Sequence, residues 1–559
     1  MIKNKNIAKL LLIVGILCSI LGVSYALFIK NLSGSNNNSL TATCFNVSFT
    51  DQNNIGLTNT YPLLDEEGRK LTPYEFTVTN NCDTLVKYDI NLEVLNTSTL
   101  TNMGYIKLML DDGTPALVSK YSVTTKTLSN ASSAYKIKSD LYLDAKESKT
   151  YKLRLWLDEN VTTETEGVQN KSFASKITVN ASYAEELPKP TAVEYITTLA
   201  QTDTTNLAAD DYGNTRYIGA NPNNYVRVEG EEYTSDVYYG YYDTTTTSNH
   251  KEYSSLEECT NASSYNVNCK VGIAKGTPIL WRIIGVMKNI DDGTGNKEDR
   301  VKIIRTGSIG EYSWDTSDSS INLGRGVNEW SQADLMKLLN PGYESETVGG
   351  SLYWNNKQGT CYITSKNAKT NCDFTSTGIK EKLKNMLGNA VWNTGSQGTN
   401  DLTSNSGGLA KHFYTYERST NTGKICTSGT ECNDTVERTT TWTGKVGLMY
   451  LSDYGYATGG GSRTDRATCL NKELLNWSDS SVSDCKNNDW LYTSANYQWT
   501  ISPFAYSSAA DGVFGVYNYG NFYADDAYGE RAVRPVGYLL SNTKVLSGDG
   551  SSGNPFILS

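Results

Sequence analysis

Lys3, Lys5 and Lys9 precede a predominantly apolar run from Leu10 to Phe28, so the chain opens with charge followed by hydrophobe. That order predicts a membrane-directed helix over residues 1–30, with its lysine end held on the inner side. About 19 apolar residues at 1.5 Å each approach the thickness of the hydrocarbon layer, so the segment suits an uncleaved signal anchor. Ser24-Tyr25-Ala26 also offers the small-x-small pattern of a signal-peptide cleavage site. Both readings export the remainder, to the extracellular face of the cell membrane or, after cleavage near Ala26, into the medium. Residues 31–40 are polar and too poor in apolar side chains to pack, and they read as a spacer.

Beyond the spacer the hydrophobic period becomes two. Cys44 to Phe49, Tyr74 to Val78, Tyr88 to Leu92 and Tyr151 to Leu157 alternate apolar with polar residues, as half-buried antiparallel strands do. Turn residues such as Asn80-Asn81 and Asp111-Asp112-Gly113 separate them, and an antiparallel β-sandwich of about seven or eight strands over 41–187 accounts for the pattern. Pro188 and Pro190 lack backbone donors and interrupt it. Residues 188–215 therefore read as a linker with a short helix, Ala192 to Ala200, that places Val193, Ile196, Thr197 and Ala200 on one face.

A second large unit is expected over 216–559. Its core strands are Pro278 to Val286, Val301 to Arg305 and Val446 to Leu451, with helices near Gln332 to Leu339, N-capped by Ser331, and Ile379 to Leu387. An acidic, Tyr-rich stretch near 228–276 reads as an inserted loop. Val545 to Gly550 and Pro555 to Leu558 form a closing hairpin. The fold class is thus mainly β with a minor α component.

Composition narrows the partners. The 559 residues carry 50 Lys and Arg against 60 Asp and Glu, a net charge of −10, and no basic stripe, which argues against nucleic acid. Thirty-eight Tyr and 47 Gly suit strands and turns of an exported chain. Apart from Cys18, the cysteines fall into neighbouring couples: Cys44 and Cys82, Cys259 and Cys269, Cys361 and Cys372, Cys426 and Cys432, Cys469 and Cys485. Sequential pairing would close short loops as disulfides, although spacing alone does not prove connectivity. Two histidines and no CxxC leave little for a zinc site.

TATCFNVSFT, PYEFTVTNNCD, ESKTYKLRLWLDE and SFASKITVNA resemble the TasA/camelysin-like exported β-sandwich modules of Gram-positive bacteria, over about 185 residues. Members described as metallopeptidases would need zinc-binding histidines. This module has no His, so that activity is not expected here, while fibre formation and self-association through sandwich edges stay open. LWRIIGV, VGLMYLSDYGY, WTISPF and AVRPVGYL, in that order over 216–559, resemble bacterial C-type-lectin-like domains of the formylglycine-generating-enzyme type. The resemblance implies an α+β domain with a long irregular binding surface. The enzyme of that type uses cysteines near its C-terminus, and no cysteine follows Cys485.

Other chemistry is sparse. His250 lies in the inserted stretch and His412 in no nucleophile elbow, so neither suggests a general base. Asp525 and Asp526 are adjacent, which does not build a glycosidase pair. Asp291, Asp292, Glu298 and Asp299 offer oxygen ligands to calcium, but EF-hand spacing is absent and a hairpin tip explains the same residues. No catalytic residue, metal site or cofactor is expected.

Ligand binding is the expectation, at Tyr506, Tyr519, Asn521, Tyr523, Asp525 and Tyr528, where tyrosines alternate with small polar residues as in recognition loops. Strand alternation over 513–517 is expected to put one set of side chains in and the other out. The function that follows is an adhesin-like cell-surface or secreted protein whose C-terminal head recognises an extracellular glycan or protein. The alternative is a matrix or fibre subunit. A target of diversity-generating retroelements, a use the second resemblance implies, and an exported enzyme rank below these.

Overall fold

A computed structural model describes residues 30–33, 45–49, 55–57, 61–162, 164–184, 187–245, 250–262, 265–318, 324–395, 397–398, 408–420, 439–505 and 511–559. Strands dominate them, with short helices between, so the protein is mainly β with a minor α component. The expected N-terminal helix, Tyr506, Cys44, Cys426 and Cys432 lie outside the described residues. Among the described residues no helix is long and apolar enough to cross a membrane. The chain divides into two compact units, Met1–Pro188 and Lys189–Ser559.

In the first unit two six-stranded sheets enclose one core, so the described strands outnumber the seven or eight expected. The long strands Val86–Leu95, Ala131–Leu143 and Phe173–Tyr183 build one sheet; Tyr74–Asn80, Ser148–Asp158 and Ile106–Leu110 build the other. Period-two alternation is clearest in Tyr74–Asn80, whose buried Phe76 and Val78 face the core between half-buried neighbours. Where the sheets meet, the Tyr88 and Tyr151 hydroxyls share a 2.6 Å hydrogen bond, which satisfies two phenols inside the core. Part of the expected spacer is ordered: Lys30–Ser33 pairs antiparallel with Phe173–Tyr183. Backbone pairing does not require an apolar side chain, which is why a polar run could join a sheet edge.

The second unit begins before residue 216. Thr191 and Glu194 form a reciprocal capping box at the start of the Ala192–Leu199 helix, and Ala192 and Ile196 enter the core of the second unit. Leu207–Ala209 pairs with Thr215–Tyr217, which joins the central sheet through Trp281–Asp291. The stretch read as a linker therefore belongs to the second unit and contributes Ala192, Ile196 and Leu207 to its core. Nine strands make this sheet, centred on Trp281–Asp291 and Lys297–Arg305, with Tyr225–Val228 linking them to the closing hairpin Val545–Ser547 and Phe556–Leu558. The inserted stretch is no loop: Val237–Tyr241, His250–Tyr253 and Val267–Ile273 form their own three-stranded sheet, with helix Leu256–Asn261.

Two local expectations fail. Ser331 lies inside a short 3-10 turn, Trp330–Gln332, and the helix that follows, Asp334–Leu339, has Ala333 at its N-cap with no side-chain bond. The Val446–Leu451 strand shrinks to Val446–Gly447, and Leu451–Tyr456 is helical. There the Asp453 carboxylate accepts the Tyr450 amide at 2.9 Å and secures the first turn, a contact the apolar pattern does not encode.

Cys259–Cys269, Cys361–Cys372 and Cys469–Cys485 are disulfides, and Cys82 is also disulfide-bonded. This chemistry is in keeping with an extracellular or secreted protein.

Candidate ligand-binding surface

A six-stranded sheet near the C-terminus carries the aromatic residues. Its strands run in the order Glu311–Tyr312, Arg531–Ala532, Gln498–Ala505, Gly512–Val516 and Phe522–Asp526, with Gln397–Gly398 beside Gln498–Ala505. The expected in-out alternation fails in Gly512–Val516, which is buried throughout. Phe514 packs edge-on against Phe413 and Phe522, so one face of this hairpin is core. On the other face Tyr523 stands opposite Gly515.

That face presents an aromatic row. Tyr497 and Tyr517 stack with centroids 3.9 Å apart, and Tyr517 meets Tyr523 edge-on at 5.2 Å. Each such contact contributes about 0.5–1.5 kcal/mol beyond area burial, enough to hold rings in place before any ligand arrives. Tyr523 nevertheless keeps 49 % of its surface exposed. The Arg531 guanidinium lies 5.2 Å from the Tyr497 ring centre and donates through Nε to Asp525 at 2.8 Å, with its Nη2 on the same oxygen. Burial, then the Asp525 charge, pushes the Tyr517 phenol up, so it stays neutral and able to donate a hydrogen bond.

Tyr519 projects from the hairpin tip, 61 % exposed. The tip is closed by Tyr517 N to Asn521 O and Gly520 N to Tyr517 O, both 2.9 Å. Gly520 sits at φ 87°, a conformation glycine adopts without a Cβ penalty. Three successive carbonyls of the tip are gripped from outside it. Tyr492 Oη donates to Asn518 O at 2.7 Å, Lys486 Nζ to Tyr519 O, and Tyr454 Oη to Gly520 O at 2.6 Å. Tyr519 is thereby carried on fixed backbone, so a ligand contact there would carry little ordering cost.

The expected residues do not all converge. Tyr519, Tyr523 and Asp525 belong to this hairpin and its exposed face. Asn521 is the turn-closing residue, and its Oδ1 is buried without a partner. Tyr528 is half-buried and anchored through its backbone, N to Arg325 O at 3.0 Å and O from Ser313 Oγ at 2.7 Å. Tyr497 and Arg531 complete the exposed face, and Tyr492 and Lys486 hold the tip, four positions that sequence reasoning did not single out. Only the Tyr-rich composition around 492–497 hinted at them, because the pairing that joins them to the hairpin is long-range.

The remaining candidates are accounted for locally. Asp526 lies 3.5 Å from Arg325, and burial raises its pKa despite that cation. The His412 Nδ1 is buried without a partner and the ring's pKa is lowered by burial. At the tip between Trp281–Asp291 and Lys297–Arg305, Asp291 accepts the Gly293 amide at 2.8 Å and Asp292 the Thr294 amide at 2.8 Å. Among the described residues no cluster of three or more His, Cys, Asp or Glu is placed to hold a metal ion.

Neither a protein-family model nor a curated protein sequence matches this chain.

Proposed function

We propose that the protein is an exported binding protein, adhesin-like, whose second unit recognises an extracellular glycan or protein through the Tyr497, Tyr517 and Tyr523 row with Tyr519 at its rim. The observation that carries this reading is exposed Tyr519 on backbone held by three outside donors, beside exposed Tyr523 on the same hairpin. Ring faces pack on apolar sugar or peptide surface, hydroxyls exchange hydrogen bonds, and the Arg531–Asp525 pair adds a polar edge. The sequence resemblance to C-type-lectin-like domains supports the same reading, and the N-terminal apolar segment supports display at the outer membrane face, or secretion after cleavage.

The test is binding of the full, disulfide-intact chain to a glycan and cell-surface panel beside a Tyr519→Ala/Tyr523→Ala variant. Saturable binding that the folded variant loses supports recognition by this surface. Binding that survives both substitutions removes the surface from the proposal.

A further inference from the structure

Arg282, Arg305 and Arg534 come together in the second unit with only neutral hydrogen-bond partners. Arg282 is 6 % exposed, donates to Asn224 Oδ1 at 2.7 Å, and lies between the Tyr225 and Trp490 rings at 4.2 and 4.5 Å. Arg305 is 2 % exposed and donates to Ser308 O and to the Tyr233 hydroxyl. Arg534 donates through Nε to Arg305 O at 3.0 Å and through Nη1 to Gln498 Oε1 at 3.1 Å, which leaves Nη2 without a partner among the described residues. None of the three has a carboxylate within ion-pair distance among those residues. Burial, then the Arg282 and Arg305 charges, pulls Arg534 down to about 9. Asp489 is near enough for its charge to act on Arg534, but burial pushes its carboxyl well up and no ion pair joins the two. Buried cations are normally paired, so this excess of positive charge is a place for an anion.

Arg534 lines a cavity of about 280 Å³ where the inserted sheet meets the paired strands Glu311–Tyr312 and Arg531–Ala532. One wall is flat and aromatic: the His250 ring stacks on Tyr239 at 3.7 Å and 19°. Glu252, Glu311 and Asn496 supply acceptors and a donor elsewhere on the lining. The volume falls below the ~300–1,000 Å³ of sites for drug-sized ligands, so the occupant is about one ring in size.

We propose that this cavity binds a carboxylate-bearing monosaccharide, with the carboxylate on Arg534, the ring against His250, and hydroxyls donated to Glu252 and Glu311. Lys251 also lines the cavity, so its two cations are matched by the two glutamates, and a monoanion suits the site better than a more highly charged phosphate. The site is separate from the tyrosine row: Gln498 and Ala532 line the cavity, while their neighbours Tyr497 and Arg531 belong to the row.

Ligand-observed NMR titration of the full, disulfide-intact chain with N-acetylneuraminate, D-glucuronate, D-glucose and inorganic phosphate tests it. The expected result is saturable binding of at least one acidic sugar, about tenfold or more tighter than glucose or phosphate, and weakened about tenfold or more by Arg534→Met. Should Arg534→Met fail to fold, His250→Ala is expected to weaken the acidic sugar severalfold without unfolding the chain. Tyr523→Ala is expected to leave this binding unchanged, even where it abolishes binding to the panel above. No saturable binding of either acidic sugar, equal binding of glucose or phosphate, indifference to the Arg534 or His250 change, or loss with Tyr523→Ala would each overturn the assignment.

Discussion

Arg216 Nη1 lies 2.5 Å from Asp453 Oδ1 at the centre of the second unit, with both side chains at most 2 % exposed. The other Asp453 oxygen takes the Lys302 ammonium at 2.5 Å, and Arg216 Nε reaches Asp210 at 2.8 Å. Asp453 thus ties the Thr215–Tyr217 and Lys297–Arg305 strands to the Leu451–Tyr456 helix. The two cations hold its carboxyl down at about 2 although burial opposes them, so it is ionised at neutral pH.

Asp453→Asn is expected to destabilise the protein by about 3–5 kcal/mol, because it leaves Arg216 facing one acid and Lys302 facing none in a dry interior. Denaturant unfolding followed by tryptophan fluorescence measures this. Glu66→Gln is the matched control. Its pair with Lys70 is a solvent-exposed contact at 3.4 Å, and its loss is expected to leave the unfolding midpoint essentially unchanged.

Glu417 gives the fold a pH dependence of the opposite sense to acid denaturation. Burial raises its carboxyl to about 7, while Arg418 at 3.3 Å and hydrogen bonds from Ser452 oppose the rise. The folded state therefore holds this proton over a window in which the unfolded state, near 4.5, has released it. The contribution to stability is complete below about pH 4.5 and is lost as pH rises through about 7, on the order of 3 kcal/mol in all. Unfolding curves at pH 5 and 8 are expected to show wild type losing stability relative to Glu417→Gln across that interval. Parallel curves would refute the assignment.

How much of this was readable from sequence depended on whether an element's pattern was local. Tyr74–Asn80 and Ser148–Asp158 alternate apolar and polar residues because one face of each meets the core, and they were legible. The run Trp281 to Met287 is buried on both faces, so its continuous hydrophobicity also identified a strand. Leu451–Tyr456 was not legible. Its sequence, LSDYGY, is poor in helix formers, and its first turn depends on Asp453 and on cations more than 150 residues earlier in the chain. The tyrosine-rich hairpin stood out by composition, whereas Tyr497 and Arg531 joined it only through strand pairing. His250 read as a loop residue because nothing local shows that its strand packs beside Glu311 and Arg534.

The disulfides are expected to differ in resistance to reduction. Cys469 and Cys485 are both fully buried, whereas Cys269 is half-buried on the inserted sheet. Thiolate attack requires access to sulfur, so mild reductant should open Cys259–Cys269 well before Cys469–Cys485. Timed alkylation with peptide mass spectrometry reads the order. Removing Cys469–Cys485 by a double Ser substitution should cost about 2–4 kcal/mol.

The hairpin tip makes the sharpest separation between stability and recognition. Gly520 occupies left-handed backbone, and a Cβ there would lie 2.2 Å from the Lys486 side chain, whose ammonium holds the Tyr519 carbonyl. Gly520→Ala is expected to cost about 1–2 kcal/mol and to displace Lys486. Lys486→Met leaves the backbone unstrained and removes only the grip on residue 519. If Tyr519 recognises ligand because its backbone is fixed, Lys486→Met should weaken panel binding severalfold with a stability change of no more than about 1 kcal/mol, while Tyr519→Ala loses more binding at no cost in stability. Binding and unfolding measured on the same preparations decide it: a Lys486→Met protein that binds as wild type does would show that the grip serves the fold alone.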